Sequence, residues 1–413
     1  KAETGVVLTA TGSVAGNVSG KTGDSNAFTV VPGAASKYLV TSSSTSPAAG
    51  GTVTITAQLL DANNNPVSTS GKTITWSKSD ANGSFSSATS TTDANGTATV
   101  IFTSHSVAGT TTTITATDNT SLTGTSPTIT SGSGGATKLV VSTIAGQTAG
   151  TAFAVTVTLT DANGNPVNAS TNGTVTLTLK SGNGTLGGTL TGTITSGSSA
   201  VTISGVTYTK AESGVSLTAT GSGSGNVTGK AGDSNTFTVV AGAGAKYIVT
   251  SSNTSPTAGG TVTITAQLVD ANNNPVTSSG KTVTWSKSDV NGSFSSATST
   301  TDANGTATVT FTTHTVSGTS TTITATDNTS LTGTSAGISS TVGTANKLVV
   351  STIAQQTAGT GFSVIVTLTD ANGNAVNATA DGTVTLTRKT GTGTLGGTVT
   401  GTITLGSSAV TIS

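Results

Sequence analysis

Thr52-Val53-Thr54-Ile55-Thr56-Ala57-Gln58-Leu59-Leu60-Asp61-Ala62-Asn63-Asn64-Asn65-Pro66-Val67 changes character halfway along. Through its first half, Val53, Ile55, Ala57 and Leu59 fall on one face and Thr52, Thr54, Thr56 and Gln58 on the other. That period of two belongs to a β-strand with one buried face. At Asp61–Pro66 the alternation gives way to residues that bond their own backbone and tolerate left-handed conformations, the chemistry of a tight turn. The same pairing of strand and turn runs through the chain. Ile74 and Trp76 alternate, as do Ala98, Val100 and Phe102, and Ile114 and Ala116, with turn clusters such as Asp93–Gly96 between them. No stretch has credible helical periodicity, so the chain reads as all-β.

Composition narrows the chemistry. Of 413 residues, 99 are Thr and 54 Gly, while charged residues are 7% and aromatic residues 3%. Abundant β-branched residues separate the chain from the disordered class that low charge and many glycines would otherwise suggest. Net charge is zero, so there is no electrostatic footprint for nucleic acid or an anionic membrane surface. Cysteine is absent, which excludes disulfides, thiolate metal sites and cysteine nucleophiles. No apolar run approaches the ~18 residues of a membrane helix.

A repeat organises the chain. Lys1-Ala2-Glu3 returns as Lys210-Ala211-Glu212, Tyr38 as Tyr247, Trp76 as Trp285 and His105 as His314, always 209 residues on. Residues 1–204 and 210–413 differ at about 43 positions. Val7 becoming Ser216 and Ile101 becoming Thr310 are read as outward changes. Within each unit, Asp61–Val67 is echoed by Asp161–Val167 and Lys37–Val40 by Lys138–Val141. The expected order is an A module at 33–136, a B module at 137–241, A again at 242–345, and B again from 346. Seven short strands per ~100 residues suit an immunoglobulin-type two-sheet sandwich. Tandem sandwiches make an elongated rod, with Trp76 filling the core where a disulfide would otherwise sit.

Leu59–Val67, then Thr92-Asp93-Ala94-Asn95-Gly96-Thr97-Ala98-Thr99-Val100, then Ala108-Gly109-Thr110, resemble the bacterial Ig-like domain of group 1. This is the tandem module of invasin and intimin stalks. The first element recurs at 270–276 and, with Ala375 for the proline, at 370–376; the second recurs at 302–305. The likeness covers the A modules best, because the B modules carry Thr195–Val201 in place of the second element. It implies a rod that holds an adhesive tip away from a cell, on the bacterial surface. The sequence shows neither that family's lectin-like tip nor its outer-membrane barrel, so the resemblance brings a stalk and no binding activity.

The register of the ends is informative. Residues 1–32 match 210–241, the last strands of a B module, and residues 346–413 match 137–204, its first five. Gly205-Val206-Thr207-Tyr208-Thr209, the joint between those pieces, occurs once. Val6, Leu8, Ala10, Phe28 and Val30 are therefore expected to act as strand donors. Their groove would be lined by Phe362, Val364, Val366, Leu368, Val384 and Leu386 of another copy, giving a head-to-tail homopolymer. The alternative is a window of a giant continuous repeat adhesin that binds a carbohydrate, ice or a host surface.

Catalysis has little to draw on. Glu3 and Glu212 are the only glutamates, and His105 and His314 follow strand ends in Ser/Thr-rich loops. No catalytic residue is assigned, and the chain is not expected to be an enzyme. Asp61, Asn63 and Asn65, and Asp161, Asn163 and Asn165, have the one-three-five oxygen spacing that opens a calcium loop. Neither run has an acidic residue at the twelfth position, and a hairpin turn is the favoured reading of both. Calcium is the only cofactor the sequence suggests. Outward Thr ladders suit lateral fibre contacts or glycans, and sequons such as Asn17-Val18-Ser19 are expected by chance at this composition. The reading is an extracellular filament or stalk segment whose principal partner is itself, with no nucleic acid and no membrane insertion.

Overall fold

The computed structural model describes residues 1–413. Apart from one 3-10 turn at Gly225–Val227, its regular structure is all strand, in small, mainly antiparallel sheets. The opening run forms the strand Thr52–Asp61 with the predicted facing. Its partner Thr97–Thr103 lies in a register that sets Ala98 against Ala57, Val100 against Ile55 and Phe102 against Val53. Those pairs point inward and the intervening threonines outward.

Between residues 35 and 130 two four-stranded sheets face each other. One runs Ala35–Ser42, Thr52–Asp61, Thr97–Thr103, Ser84–Phe85; the other runs Thr123–Thr125, Ile114–Asp118, Thr73–Lys78, Thr89–Thr91. That is eight strands, not seven, with an added ribbon of Thr111–Thr112 and Ile129–Thr130. The extra strands are edges of two or three residues, too short to show alternation. Fourteen buried apolar residues fill the space between the sheets, Trp76 among them, and its indole N–H donates to Ser90 Oγ at 2.9 Å. Residues 246–339 repeat this arrangement around Trp285 with another fourteen-residue core. One ion pair crosses each core's end. Lys72 Nζ lies 2.7 Å from the fully buried Asp118 carboxylate, to which the Tyr38 hydroxyl also donates.

Residues 138–240 form the largest core, of twenty residues. One sheet is Lys138–Val141, Phe153–Thr160, Ala200–Tyr208, Leu186–Gly188. The other is built on Gly173–Ser181, Glu212–Gly223 and Phe237–Val240, with Thr191–Ile194 at one edge and Gln147–Thr148 added in parallel at the other. One sequence expectation is sharpened here and one corrected. Gly205–Thr209 joins the two pieces of the B module as part of a strand, Ala200–Tyr208, and Val206 and Tyr208 are buried in the core. Ser216 is not outward. It is buried, paired with Ser181 at a register shift, Oγ to Oγ 2.8 Å. Gly205 and Gly214 both have positive φ beside such shifts. A bulge inserts one residue and turns the following side chains to the opposite face. Ile101 and Thr310 are outward as read.

Candidate functional site

Two features stand out from the repeated sandwiches: the Asp-Ala-Asn-x-Asn loops and the two partial sandwiches at the ends. The loop at Asp61 closes on its own carboxylate. Oδ1 accepts the backbone N–H groups of Asn63 (2.9 Å) and Asn65 (2.8 Å); Oδ2 accepts Asn65 Nδ2 and the N–H of Gly33, each at 2.8 Å. Asp161, Asp270 and Asp370 repeat this, taking the N–H of Gly134, Gly242 and Gly343. The fourth loop residue has positive φ at Asn64, Gly164, Asn273 and Gly373, as the tight turn demands. Hydrogen bonds from Asn65 and Gly33 hold the Asp61 carboxyl down at about 2.

This geometry bears on the calcium reading. A calcium ion takes six to eight oxygen ligands. Here Asp61 and Asp161 each face four N–H donors, Asn163 Nδ2 donates to Ala49 O, and the side-chain oxygens of Asn65 and Asn165 accept backbone N–H groups. Asp61, Asn63, Asn65, Asp161, Asn163 and Asn165 are thus assembled as hydrogen-bonded turns. No group of three His, Cys, Asp or Glu side chains is placed to hold a metal.

The loops also reach across the joints. Asn165 Oδ1 accepts the Ala108 N–H at 3.0 Å while its Nδ2 donates to Ser106 O at 2.9 Å, and Asn163 Nδ2 reaches Ala49 O at 2.8 Å. Asn374 and Asn372 do the same to Ser317, Thr315 and Ala258. Asn274 grips Ala211 N and Thr209 O, both at 2.8 Å, and Asn65 accepts the Ala2 N–H at 2.8 Å. Each Asp holds the linker glycine, and each second Asn grips the stretch before it. Nothing in the local sequence revealed this role, because the gripped backbone lies about sixty residues away in the chain.

The end segments are exposed where their repeats are buried. Leu8 is 62% exposed and its equivalent Leu217 is 0%. Val6, Ala10, Phe28 and Val30 are likewise exposed or half-buried, whereas Val215, Ala219, Phe237 and Val239 are core. Strands Glu3–Val6 and Phe28–Val30 pair with each other, and Thr9–Thr11 with Thr22–Asp24, over no apolar partner. At the other end Leu348 is 49% exposed against 2% for Leu139, and Phe362, Leu368 and Leu386 are only partly covered. Val364, Val366 and Val384 are buried in a core of five residues, against twenty in the complete counterpart. The donors and Phe362 thus lie on open faces, Leu368 and Leu386 are half-buried and Val364, Val366 and Val384 are buried, and the structure does not bring donors and acceptors together within one chain.

No protein-family model matches the chain, and no curated protein does. Among solved structures it is similar to FdeC, an Escherichia coli adhesin, at 22% identity over 75% of this chain and 100% of that one, with a TM-score of 0.35. It is similar to Yersinia pseudotuberculosis InvD at 17% identity over 72% and 95%, with a TM-score of 0.33. It is similar to the D0–D1 domain of intimin at 22% identity over 50% and 100%, with a TM-score of 0.21. These neighbours are bacterial Ig-like adhesin domains, the kind the motifs resemble. At such identities and TM-scores they carry no argument, and the fold and function rest on the chain itself.

Proposed function

We propose that this chain is a segment of an extracellular stalk or filament, with a mechanical role and no catalytic one. Its residues 1–32 would complete the sandwich opened at residues 346–413 of the next copy, head to tail. The observation that carries this is reciprocal exposure. Leu8, Phe28 and Val30 lie open on one end and Leu348 and Phe362 on the other, while residues 210–241 and 137–204 bury the equivalent positions against each other. Covering the donor side chains Val6, Leu8, Phe28 and Val30 at ~1.5–3 kcal/mol each gives about 6–12 kcal/mol gross, before the costs of association. The donor and acceptor surfaces differ and sit at opposite ends, so the contact propagates an open fibre. Outward threonine faces supply hydroxyl groups for lateral fibre contacts or glycans.

A second reading, a longer repeat continuing in one covalent chain, is favoured by one observation. Val206 and Tyr208 belong to the core of the complete sandwich, and strands 1–32 do not supply them. Light scattering over a range of concentrations tests the first reading. Head-to-tail assembly gives masses rising in steps of 39.5 kDa, and deletion of residues 1–32 holds the chain at one step. A chain that stays monomeric at all concentrations overturns it. The denatured mass of the native fibre then separates the readings: a species near 39.5 kDa supports non-covalent assembly, and a far heavier one supports the continuous repeat.

A further inference from the structure

The chain has two histidines, and both occupy the same place in the two joints that lead from an A stretch into a B stretch. His105 follows the strand Thr97–Thr103, and its carbonyl accepts the Gly50 N–H at 2.9 Å. Its imidazole Nδ1 accepts the N–H of Val107 at 2.7 Å. The loop folded by that bond presents Ser106 O and Ala108 N, the two groups Asn165 grips across the joint. His314 repeats each contact: Gly259 N to its carbonyl, Val316 N to its Nδ1 at 2.7 Å, and Thr315 O and Ser317 N to Asn374. The joint leading from B into A has no counterpart. There the gripped groups are Thr209 O and Ala211 N, flanked by Tyr208 and Lys210.

We propose that the A-to-B joints are pH-gated hinges, firm while His105 and His314 are neutral and loosened when they are protonated. An Nδ1 that accepts a backbone N–H carries no proton, so the observed loop requires the neutral Nε2–H tautomer. Protonation places a second N–H against that of Val107 or Val316, removes the acceptor and turns it into a repulsion. The loop then gives up the pose in which Ser106 and Ala108 meet Asn165. The joint is therefore firm while the imidazoles are neutral and loose once acid has protonated them. His314 lines a cleft with Asn291, Gly292, Ser293, Thr312, Thr313 and Thr315. The charged side chains on the neighbouring segments are Asp370, in the loop that grips from across the joint and facing four N–H donors, Asp289, bonded to the Thr321 hydroxyl, and Lys287, bonded to Asp289 O. The inference concerns joints within the chain and stands whether or not residues 1–32 complete another copy.

The absence of cysteine allows spin labels to be placed at will in the full chain. One pair, at Thr99→Cys and Thr174→Cys, spans the A-to-B joint; a second, at Thr174→Cys and Thr263→Cys, spans the B-to-A joint as an internal control. Electron–electron double resonance at pH 7.5 and 5.0 should show the first distance distribution broadening about twofold or more on acidification and the second unchanged. His105→Asn keeps an acceptor for the Val107 N–H, as Asp80 and Asp93 already provide for Asn82 and Asn95, and has no charge to gain; it should keep the first distribution narrow at both pH values. Equal widths for the native chain at both pH values, equal broadening at both joints, or persistence of the effect in His105→Asn would overturn the proposal. Long-range proton–nitrogen spectra of the native chain give a check that needs no variant: an Nδ1–H tautomer at pH 7.5 would also overturn it.

Discussion

Gly23→Ala separates the free chain from the assembled one, because the structure holds both environments of that position. In the complete sandwich the equivalent residue is Gly232, opposite Ala219, and a Cβ there would lie 1.8 Å from Leu139 O and 2.7 Å from its carbonyl carbon. At Gly23, opposite Ala10, a Cβ would meet nothing within 4 Å. Neither glycine has positive φ, so alanine fits the backbone and its effect is steric. In the unassembled chain the change should be neutral or stabilising by about 0.4–1 kcal/mol, through lower unfolded-state entropy. In the assembled fibre the new methyl would drive into the backbone of the strand Lys347–Val350. The two backbones belong to different sheets and would have to part by more than an ångström, so at least the ~1–3 kcal/mol typical of overpacking is expected. At 1.4 kcal/mol per tenfold that weakens association by about 5- to 150-fold. Sedimentation velocity measures the association, and urea unfolding of the monomer checks that the fold is intact. Gly232→Ala in the same chain serves as the positive control, costing its own sandwich a similar amount. If Gly23→Ala assembles as tightly as the native chain while Gly232→Ala is destabilised, residues 1–32 do not dock as 210–241 do, and the complementation argument fails.

Other outcomes rest on the same contacts. Leu217→Ala should destabilise its sandwich by about 2–5 kcal/mol, while Leu8→Ala leaves monomer unfolding unchanged and weakens only association. Equal effects on the monomer would show that Leu8 is already buried. Lys72→Met leaves the Asp118 carboxylate buried with its cation removed, and urea unfolding should report a loss of about 3–5 kcal/mol; Lys281→Met should match it at Asp327. Acid should weaken the fold in a defined window. Asp61 and Asp370, held by their loop donors, and Glu212, held chiefly by the Tyr208 hydroxyl, have carboxyls lowered to about 2. Groups with depressed values stabilise fully above the unfolded range near 4 and lose that contribution as pH falls toward 2. The urea midpoint should therefore fall as the pH drops below 4. A midpoint that does not fall there would mean these carboxylates are not tied down.

Much of the molecule was open to reading from its residues, and the exceptions share a cause. Alternation of Val53, Ile55, Ala57 and Leu59 with threonine dictates a one-sided strand, since burying one face of a pleated chain leaves no other arrangement. A 209-residue repeat that preserves Trp76 as Trp285 dictates two copies of one core. Each of these comes from local period or self-similarity.

Tertiary structure decided the rest, because it depends on bulges and on distant partners. Gly205 takes positive φ at a register shift, so counting by twos from Ile203 misplaces Val206 and Tyr208, which turn into the core. Ser216 turns in to meet Ser181 at a second shift. A one-residue slip is invisible in composition and reverses the facing of the residues that follow it. The Asp-Ala-Asn-x-Asn loops show the second cause. Sequence alone determined that they turn, since Asp and Asn close on their own backbone within five residues. That Asn165 then grips Ser106 and Ala108 was decided only when folding set one sandwich against the next, because a hydrogen bond across about sixty residues leaves no trace in the local pattern.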